Sequence, residues 1–522
     1  MQTPPKDEND LVLFTVADKA NPYNFPSWRK WMIVLIVGLN TLWAMMLSTI
    51  VVPATTRYRE EFGIKEITSK VPIMTYLLGY SLGPVLIIPI SEDYGRKPIG
   101  IASLLILYIF NIPQGLAQNV ETLAVTRFIA GIFASPILNY VCLVPDLWRG
   151  GDKAGLWGVN FWAFMAESVV LGGIIGDYIV DRYDWRLAIW IPMAVGGFLL
   201  ILFAVLVPET RPAPILTKRT KEIRKHHNPN AWTIYETKRS WEAIFKETLL
   251  RPPVMFFTEY VGINYGLIYL LIESMPLVYA EMGVDAPNSS LFYFAMEVGF
   301  VLALLCYHLQ LKAQAWATRR SGEDKPEYKL FWGMLSAFVF PVSMYWYGGT
   351  GQPDYNVKSL SAGKRTTLTF TRTQVVSDYT IDSYQMLASS AVTGQSFCRE
   401  ILAATCALVT TTFYDWSYGV PGPYHHTYAV ASYILAAIAT LCIAIPFVFY
   451  AFGPRIRAAS HYSLELKRLT KEEIEREKWM EERSQAITRE QQHQHDAIET
   501  VQGDREDTPA EKDTLEKVAE VP

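Results

Sequence analysis

The chain has 522 residues, 50% of them hydrophobic and 19% charged, with a mean hydropathy of +0.13 and a formal net charge of −4. That balance is too apolar for an ordinary water-soluble protein, and so small a net charge gives no electrostatic footprint for nucleic acid. The five cysteines (Cys142, Cys306, Cys398, Cys406 and Cys442) fall inside apolar blocks without pairing or metal-ligand spacing, which argues against a disulfide framework or a zinc site.

Residues 1–30 are polar, with Pro22 and Pro26, and lack the apolar core of a cleavable signal peptide. The first span is therefore expected to act as its own insertion signal. Apolar blocks of about 20 residues, the length a helix needs to cross hydrocarbon, follow at 31–53, 71–89, 99–118, 128–145, 155–176 and 187–207. A polar segment, 208–253, separates these from a second set at 255–272, 291–311, 330–347, 386–413 and 428–452. Helices are the expected element, because an unclosed strand leaves backbone groups unsatisfied in lipid. The pattern predicts an all-α integral membrane protein of two six-helix bundles. Its expected parts are a tail over 1–30, a bundle over 31–208, a connector over 209–253, a bundle over 254–453 and a charged tail over 454–522.

Basic residues beside the spans set the orientation. The connector carries Arg211, Lys218, Arg219, Lys221, Arg224, Lys225, Lys238, Arg239, Lys246 and Arg251, whereas 274–290 and 415–427 hold no Lys or Arg. Those two loops are expected outside, and the connector with both termini inside. The first outer loop, with Arg57, Arg59, Lys65 and Lys70, runs against the rule, and acids are interleaved among its bases.

The tenth span is the exception. Topology demands a crossing between residues 351 and 384, yet the segment carries Lys358, Lys364, Arg365, Arg372 and Asp378. A charge near a helix centre costs about 2.5–3.5 kcal/mol on insertion scales. Either a poor helix is held there by its neighbours, or the segment is a translation artefact such as a retained intron or frame slip; the composition favours the artefact. The tenth span is thus expected to be degenerate or missing.

Between the second and third spans lies Glu92-Asp93-Tyr94-Gly95-Arg96-Lys97, preceded by Ser91. This loop resembles the Gly-x-Leu-Ala-Asp-x-x-Gly-Arg-Lys signature of the major facilitator superfamily, with Ile88 where the first glycine usually stands. Further motifs occur in the expected order for the superfamily's fungal drug:proton antiporter branch. They are Asn21-Pro22 with Trp28-Arg29-Lys30-Trp31, Arg127-x-x-x-Gly131, Pro208-Glu209-Thr210, Pro326-Glu327-Tyr328-Lys329-Leu330 and Gly453-Pro454-Arg455-Ile456-Arg457. The branch's Gly-Pro-x-x-Gly-Gly motif is altered here to Gly172-Gly173-Ile174-Ile175-Gly176-Asp177. Asp378-Tyr379-Thr380-Ile381-Asp382-Ser383-Tyr384 resembles the close of the branch's tenth span.

The resemblance implies an inner gate of Glu92, Asp93, Gly95, Arg96, Lys97 and Asp146, whose ion pairs close one face in one state and break in the other. Arg127 is read as a bundle-facing arginine near a proton site, with snorkelling to the interface as the alternative. Glu167, Glu259 and Glu297 interrupt apolar spans, and a carboxyl in low dielectric can load and release a proton as access alternates. Glu273, at an outer end, reads as a surface acid. Trp157, Trp162, Asn264, Tyr265 and Tyr269 are candidates for lining a cavity that suits flat, apolar solutes. Gly172-x-x-x-Gly176 and Gly262-x-x-x-Gly266 read as close helix contacts.

No Walker loop, nucleophile elbow or metal cluster is legible, so neither a primary pump nor an enzyme is expected, and no cofactor. The expected function is secondary transport by a monomer, with a small-molecule substrate, protons and the lipid bilayer as partners. Export in exchange for protons is what the branch resemblance implies, at the plasma membrane or the vacuolar membrane. The alternatives are a proton-coupled importer or facilitator, and a non-transporting receptor or scaffold.

Overall fold

The computed structural model describes residues 10–15, 18–135, 143–148, 152–226, 228–233, 252–284, 288–322, 328, 330–350, 388–421 and 427–459, with five isolated positions near the carboxyl end. The expected tenth crossing, residues 1–9 of the amino-terminal tail and most of the carboxyl-terminal tail lie outside the described residues.

Among the described residues the chain is helical, apart from one isolated bridge between Leu11 and Trp232. In the first half α1 (Ser27–Thr49) is followed by two short helices, α2 (Thr55–Phe62) and α3 (Glu66–Ser69), then α4 (Val71–Tyr94), α5 (Arg96–Gly115) and α6 (Val120–Ala134). Next come α7 (Leu143–Leu147), α8 (Lys153–Glu167), α9 (Val170–Arg182) and α10 (Leu187–Leu206). The connector contributes α11 (Pro212–His226). The second half holds α12 (Pro252–Glu281), α13 (Tyr293–Ser321), α14 (Leu330–Thr350), α15 (Ala388–Tyr418), α16 (Ala429–Leu441) and α17 (Ala444–Ala459).

Eight helical stretches among the described residues are long and apolar enough to cross a membrane by length and composition. The longest helices overrun the apolar blocks. Helix α6 starts at Val120 rather than 128, because Asn119 caps it by accepting from the Thr122 N–H at 2.8 Å. Arg127 therefore sits within the helix, not at its mouth.

In the first half, α1 packs against α8, α9 and α10, while α6 lies between α4 and α5. In the second half, α12 packs along α15 and α14 along α16. Two seams join the halves: α4 against α15, and α13 against α8 and α9. Outward-facing rows stay apolar, as Phe198, Ile201 and Val205 do on α10, since lipid rather than water is their solvent.

The glycine pairs permit close approach. A side chain at Gly172 would strike the Met46 carbonyl, and one at Gly176 the Ile50 carbonyl, so α9 rides directly on the backbone of α1. Gly262 and Gly266 lie against Leu402 and Cys406 of α15. At one end of the bundle, the Val12 N–H donates to the Trp232 carbonyl at 2.8 Å, and Asp18 pairs with Arg219. The amino-terminal tail and the connector thus lie against each other.

Candidate functional site

The first charged cluster builds the turn between α4 and α5. Gly95 has φ +106° and ψ 151°, a conformation open to glycine, and a side chain there would strike the Glu209 carboxylate. That carboxylate accepts from the Arg96 and Lys97 N–H groups at 3.1 and 3.0 Å, and from those of Thr210 and Arg211 at 3.0 and 2.9 Å. An anion at the start of α5 satisfies donors that no helical carbonyl reaches.

The Arg96 side chain turns inward instead, and its Nε donates to Asp146 Oδ2 at 2.6 Å, with both side chains buried. Arg211 approaches the other Asp146 oxygen at 3.7 Å. Of the expected gate residues the structure thus brings together Gly95, Arg96 and Asp146, with Lys97 supplying a backbone donor. The Glu92 and Asp93 side chains lie outside the described residues. Glu209 was quoted for its motif, but its function as the keystone of this turn escaped the sequence reading. A Pro-Glu-Thr ending a span far from the loop gives no cue that it folds back.

The second cluster lies between the halves, midway along the helices. Helix α8 ends at Glu167 and α9 begins at Val170, so the fifth span is interrupted at Ser168 and Val169. Thr49 of α1 donates to the Val169 carbonyl at 2.6 Å, satisfying the break. Both residues at the end of α8 reach the second half. Glu167 Oε1 is 3.8 Å from the Arg399 guanidinium of α15, and the Ser168 hydroxyl donates to Glu297 Oε1 of α13 at 2.7 Å.

Arg399 is also held by Glu400 Oε1 at 2.9 Å and stacks over the Tyr265 ring at 4.4 Å. Tyr265 and Tyr269 lie with ring centroids 5.3 Å apart, and the Tyr269 hydroxyl is 3.2 Å from the Ser48 hydroxyl of α1. Glu400 is fully buried, and its Oε2 has no hydrogen-bond partner. One cation faces two carboxylates here, Glu167 and Glu400, both shielded from water. Buried groups of that kind are expensive unless they serve a purpose.

Glu167 and Glu297 were candidates for proton coupling, and Tyr265 and Tyr269 for lining a cavity; the structure places all four at the seam. Arg399 and Glu400 were missed. The signal existed, because two adjacent charges interrupt the apolar block 386–413 just as Glu167 interrupts its own. Glu259 lies outside the residues whose side chains are described. Asn264 is buried on α12.

Trp157 meets Tyr307 of α13 edge to face at 5.8 Å, across the seam. Trp162 donates to the Thr41 hydroxyl at 3.1 Å, which ties it into the first half. Arg127 is buried; it donates to the Leu47 and Pro72 carbonyls at 2.9 and 2.8 Å and lies over the Tyr76 ring. These contacts brace α1, α4 and α6 and exclude snorkelling.

Glu273, read as a surface acid, is instead buried and paired with Lys70. The same contact answers one base of the loop that ran against the charge rule. Arg57 pairs with Glu60 at 3.4 Å, Arg59 with Glu66 at 3.3 Å and Lys70 with Glu273 at 3.1 Å, so three of its four bases face an acid.

Helices in two packed halves, with a shared charged cluster at the seam, define a secondary-transporter architecture. Residues 37–362 match the Major Facilitator Superfamily, and the chain belongs to that family. It is 29% identical over 482 residues to the MFS-type transporter acdC of Aspergillus candidus, covering 88% of this chain and 92% of that one. It is 27% identical to the efflux pump FUBT of Fusarium oxysporum, covering 87% of this chain and 78% of that one. With the citrinin biosynthesis cluster MFS transporter mrr1 of Monascus ruber the identity is also 27%, over 85% of this chain and 91% of the relative. Among solved structures, the proton:xylose symporter XylE superposes with a TM-score of 0.58 at 14% identity, covering 82% of this chain and 96% of that one. That likeness supports the fold alone. The chain is a multi-pass membrane transporter.

Proposed function

We propose that this transporter exports a small, largely apolar organic molecule in exchange for protons, across a fungal surface membrane, by rocking its halves about the central cluster. The observation that carries the reading is the Glu167–Arg399–Glu400 group, in which acids from both halves share one cation out of water. Two carboxylates against one guanidinium leave a surplus negative charge, which a proton neutralises most cheaply in low dielectric. A proton gained or lost there changes the attraction between Glu167 of the first half and Arg399 of the second. Protonation is thereby tied to the relative position of the halves. Glu297, joined to Ser168 beside Glu167, belongs to the same set. Relatives named as an efflux pump and as a biosynthesis-cluster transporter support export over import.

The test is flux in reconstituted vesicles under an imposed pH gradient, with apolar aromatic dyes as the probe solutes and entrapped pyranine reporting protons. Dye and protons are expected to move in opposite directions. Glu167→Gln and Glu400→Gln should retain dye exchange without a gradient and lose its acceleration by one. Dye movement indifferent to the gradient in the parent chain, or coupling unchanged in both variants, removes the proposal. Dye binding with no flux returns the receptor alternative.

A further inference from the structure

The outer ends of the two halves meet at a second buried ion pair. Lys70 precedes α4 in the first half, and its Nζ lies 3.1 Å from Glu273 Oε2 on α12. The same ammonium donates to the Thr411 hydroxyl on α15. The two ionic side chains are 8% and 4% exposed, against 40–62% in the Arg57–Glu60 and Arg59–Glu66 pairs of the same loop. Exposed pairs of the latter kind contribute little. A buried pair that joins residues 203 positions apart is a different object.

Its place in the fold is specific. Tyr265, Tyr269 and Glu273 recur every four residues, so they share one face of α12. Glu400 and Thr411 are eleven residues apart and fall on one face of α15, because eleven residues make close to three helical turns. The helix faces that build the central cluster therefore continue outward to Lys70. At a rise of about 1.5 Å per residue the pair caps that cluster from about 12–16 Å away.

We propose that Lys70, Glu273 and Thr411 are the outer latch of the transport path: the pair breaks for the Glu167–Glu400 cluster to be reached from outside, and re-forms to close it. The inference rests on the two-sided access proposed above. The chemistry suits a switch. Removing both ions from water costs nearly what their attraction returns, so the closed arrangement competes closely with one in which water rehydrates them. Glu273 Oε1 lacks a partner even when the latch is shut, which leaves the closed side less than fully satisfied. A neutral, well-packed contact at this seam would favour closure in every state.

The test uses the full chain with its five native cysteines replaced and a single Ser48→Cys, the position bonded to Tyr269 beneath the latch. A membrane-impermeant maleimide is applied from outside and its labelling rate measured. Lys70→Glu and Glu273→Lys should each raise that rate by about fivefold or more, where coupling energies between sites begin. The combined Lys70→Glu, Glu273→Lys exchange should return it toward the parent rate. Glu273→Gln, which keeps the shape and removes the charge, should raise labelling in the same sense and serves if a reversed single variant does not reach the membrane. Unchanged labelling in Glu273→Gln, or an exchange labelled as fast as the single reversals, overturns the latch. Dye flux run in parallel separates the two proposals. Labelling that responds while flux ignores the pH gradient sinks proton coupling alone; gradient-driven flux with unresponsive labelling sinks the latch alone.

Discussion

Replacing Asp146 by alanine probes the buried ion pair beside the α4–α5 turn, because its carboxylate answers two arginines. Arg96 is bound at 2.6 Å and is 5% exposed, while Arg211 stands at 3.7 Å and is 30% exposed. Removing one partner of a buried pair costs up to about 3–5 kcal/mol, since the remaining ion loses its nearest counter-charge. Asp146→Ala is therefore expected to destabilise the first half by about 3–5 kcal/mol. Arg96→Ala leaves Asp146 with Arg211 in reach, so the cost falls to about 1.5–3 kcal/mol, that of a hydrogen bond to a charged group. Arg211→Ala removes a half-solvated partner, worth about 0–1 kcal/mol. For a unit of 150–250 residues, 1 kcal/mol moves Tm by about 2–4 °C. The three variants should then melt about 6–20, 3–12 and 0–4 °C below the parent. The assay is intrinsic tryptophan fluorescence on heating the detergent-purified chain. The ordering is the sharper test, because it follows from geometry rather than from any single energy. If Arg211→Ala proved as costly as Arg96→Ala, or Asp146→Ala cheaper than Arg96→Ala, the reasoning would be wrong.

Two further outcomes follow from the structure. Glu61 accepts from Arg186 at 2.6 Å and from the Trp185 indole at 2.6 Å; the arginine hydrogen bond outweighs burial and holds the carboxyl below its usual range. A carboxyl lowered on folding stabilises above its unfolded value, and that stabilisation is lost as pH falls through the folded one. Thermal stability of the parent should drop across that acid window, and Glu61→Gln should flatten the drop; equal slopes for both chains would contradict it. Gly95→Ala places a side chain at φ +106° against the Glu209 carboxylate. It should lower Tm and the yield of folded protein more than Glu209→Gln does, and a neutral Gly95→Ala would show that the turn relaxes.

Much of this molecule was written in its spans, and the reason is solvent. A segment that sits in hydrocarbon must be apolar over a fixed length, so α1, α4, α5 and α10 announce themselves without any tertiary information. The charged hairpin and the order of the motifs carried the family in the same way. Glu167 and Glu297 stood out because a charge within an apolar block is costly, and the same logic would have found Arg399 and Glu400 had it been applied to 386–413.

Pairing is where the sequence fell silent and the fold decided. Nothing in linear order says that Glu209 returns to cap α5 or that Lys70 crosses to Glu273, and resemblance offered Asp146 only as one of several acids for Arg96. Each partner lies 50 to 203 residues away. An ion's worth depends on how dry its surroundings are and what charge faces it, and both are set only when the helices have packed. Glu273 shows the difference: in sequence an acid at the edge of an apolar block, by packing a buried link between the halves.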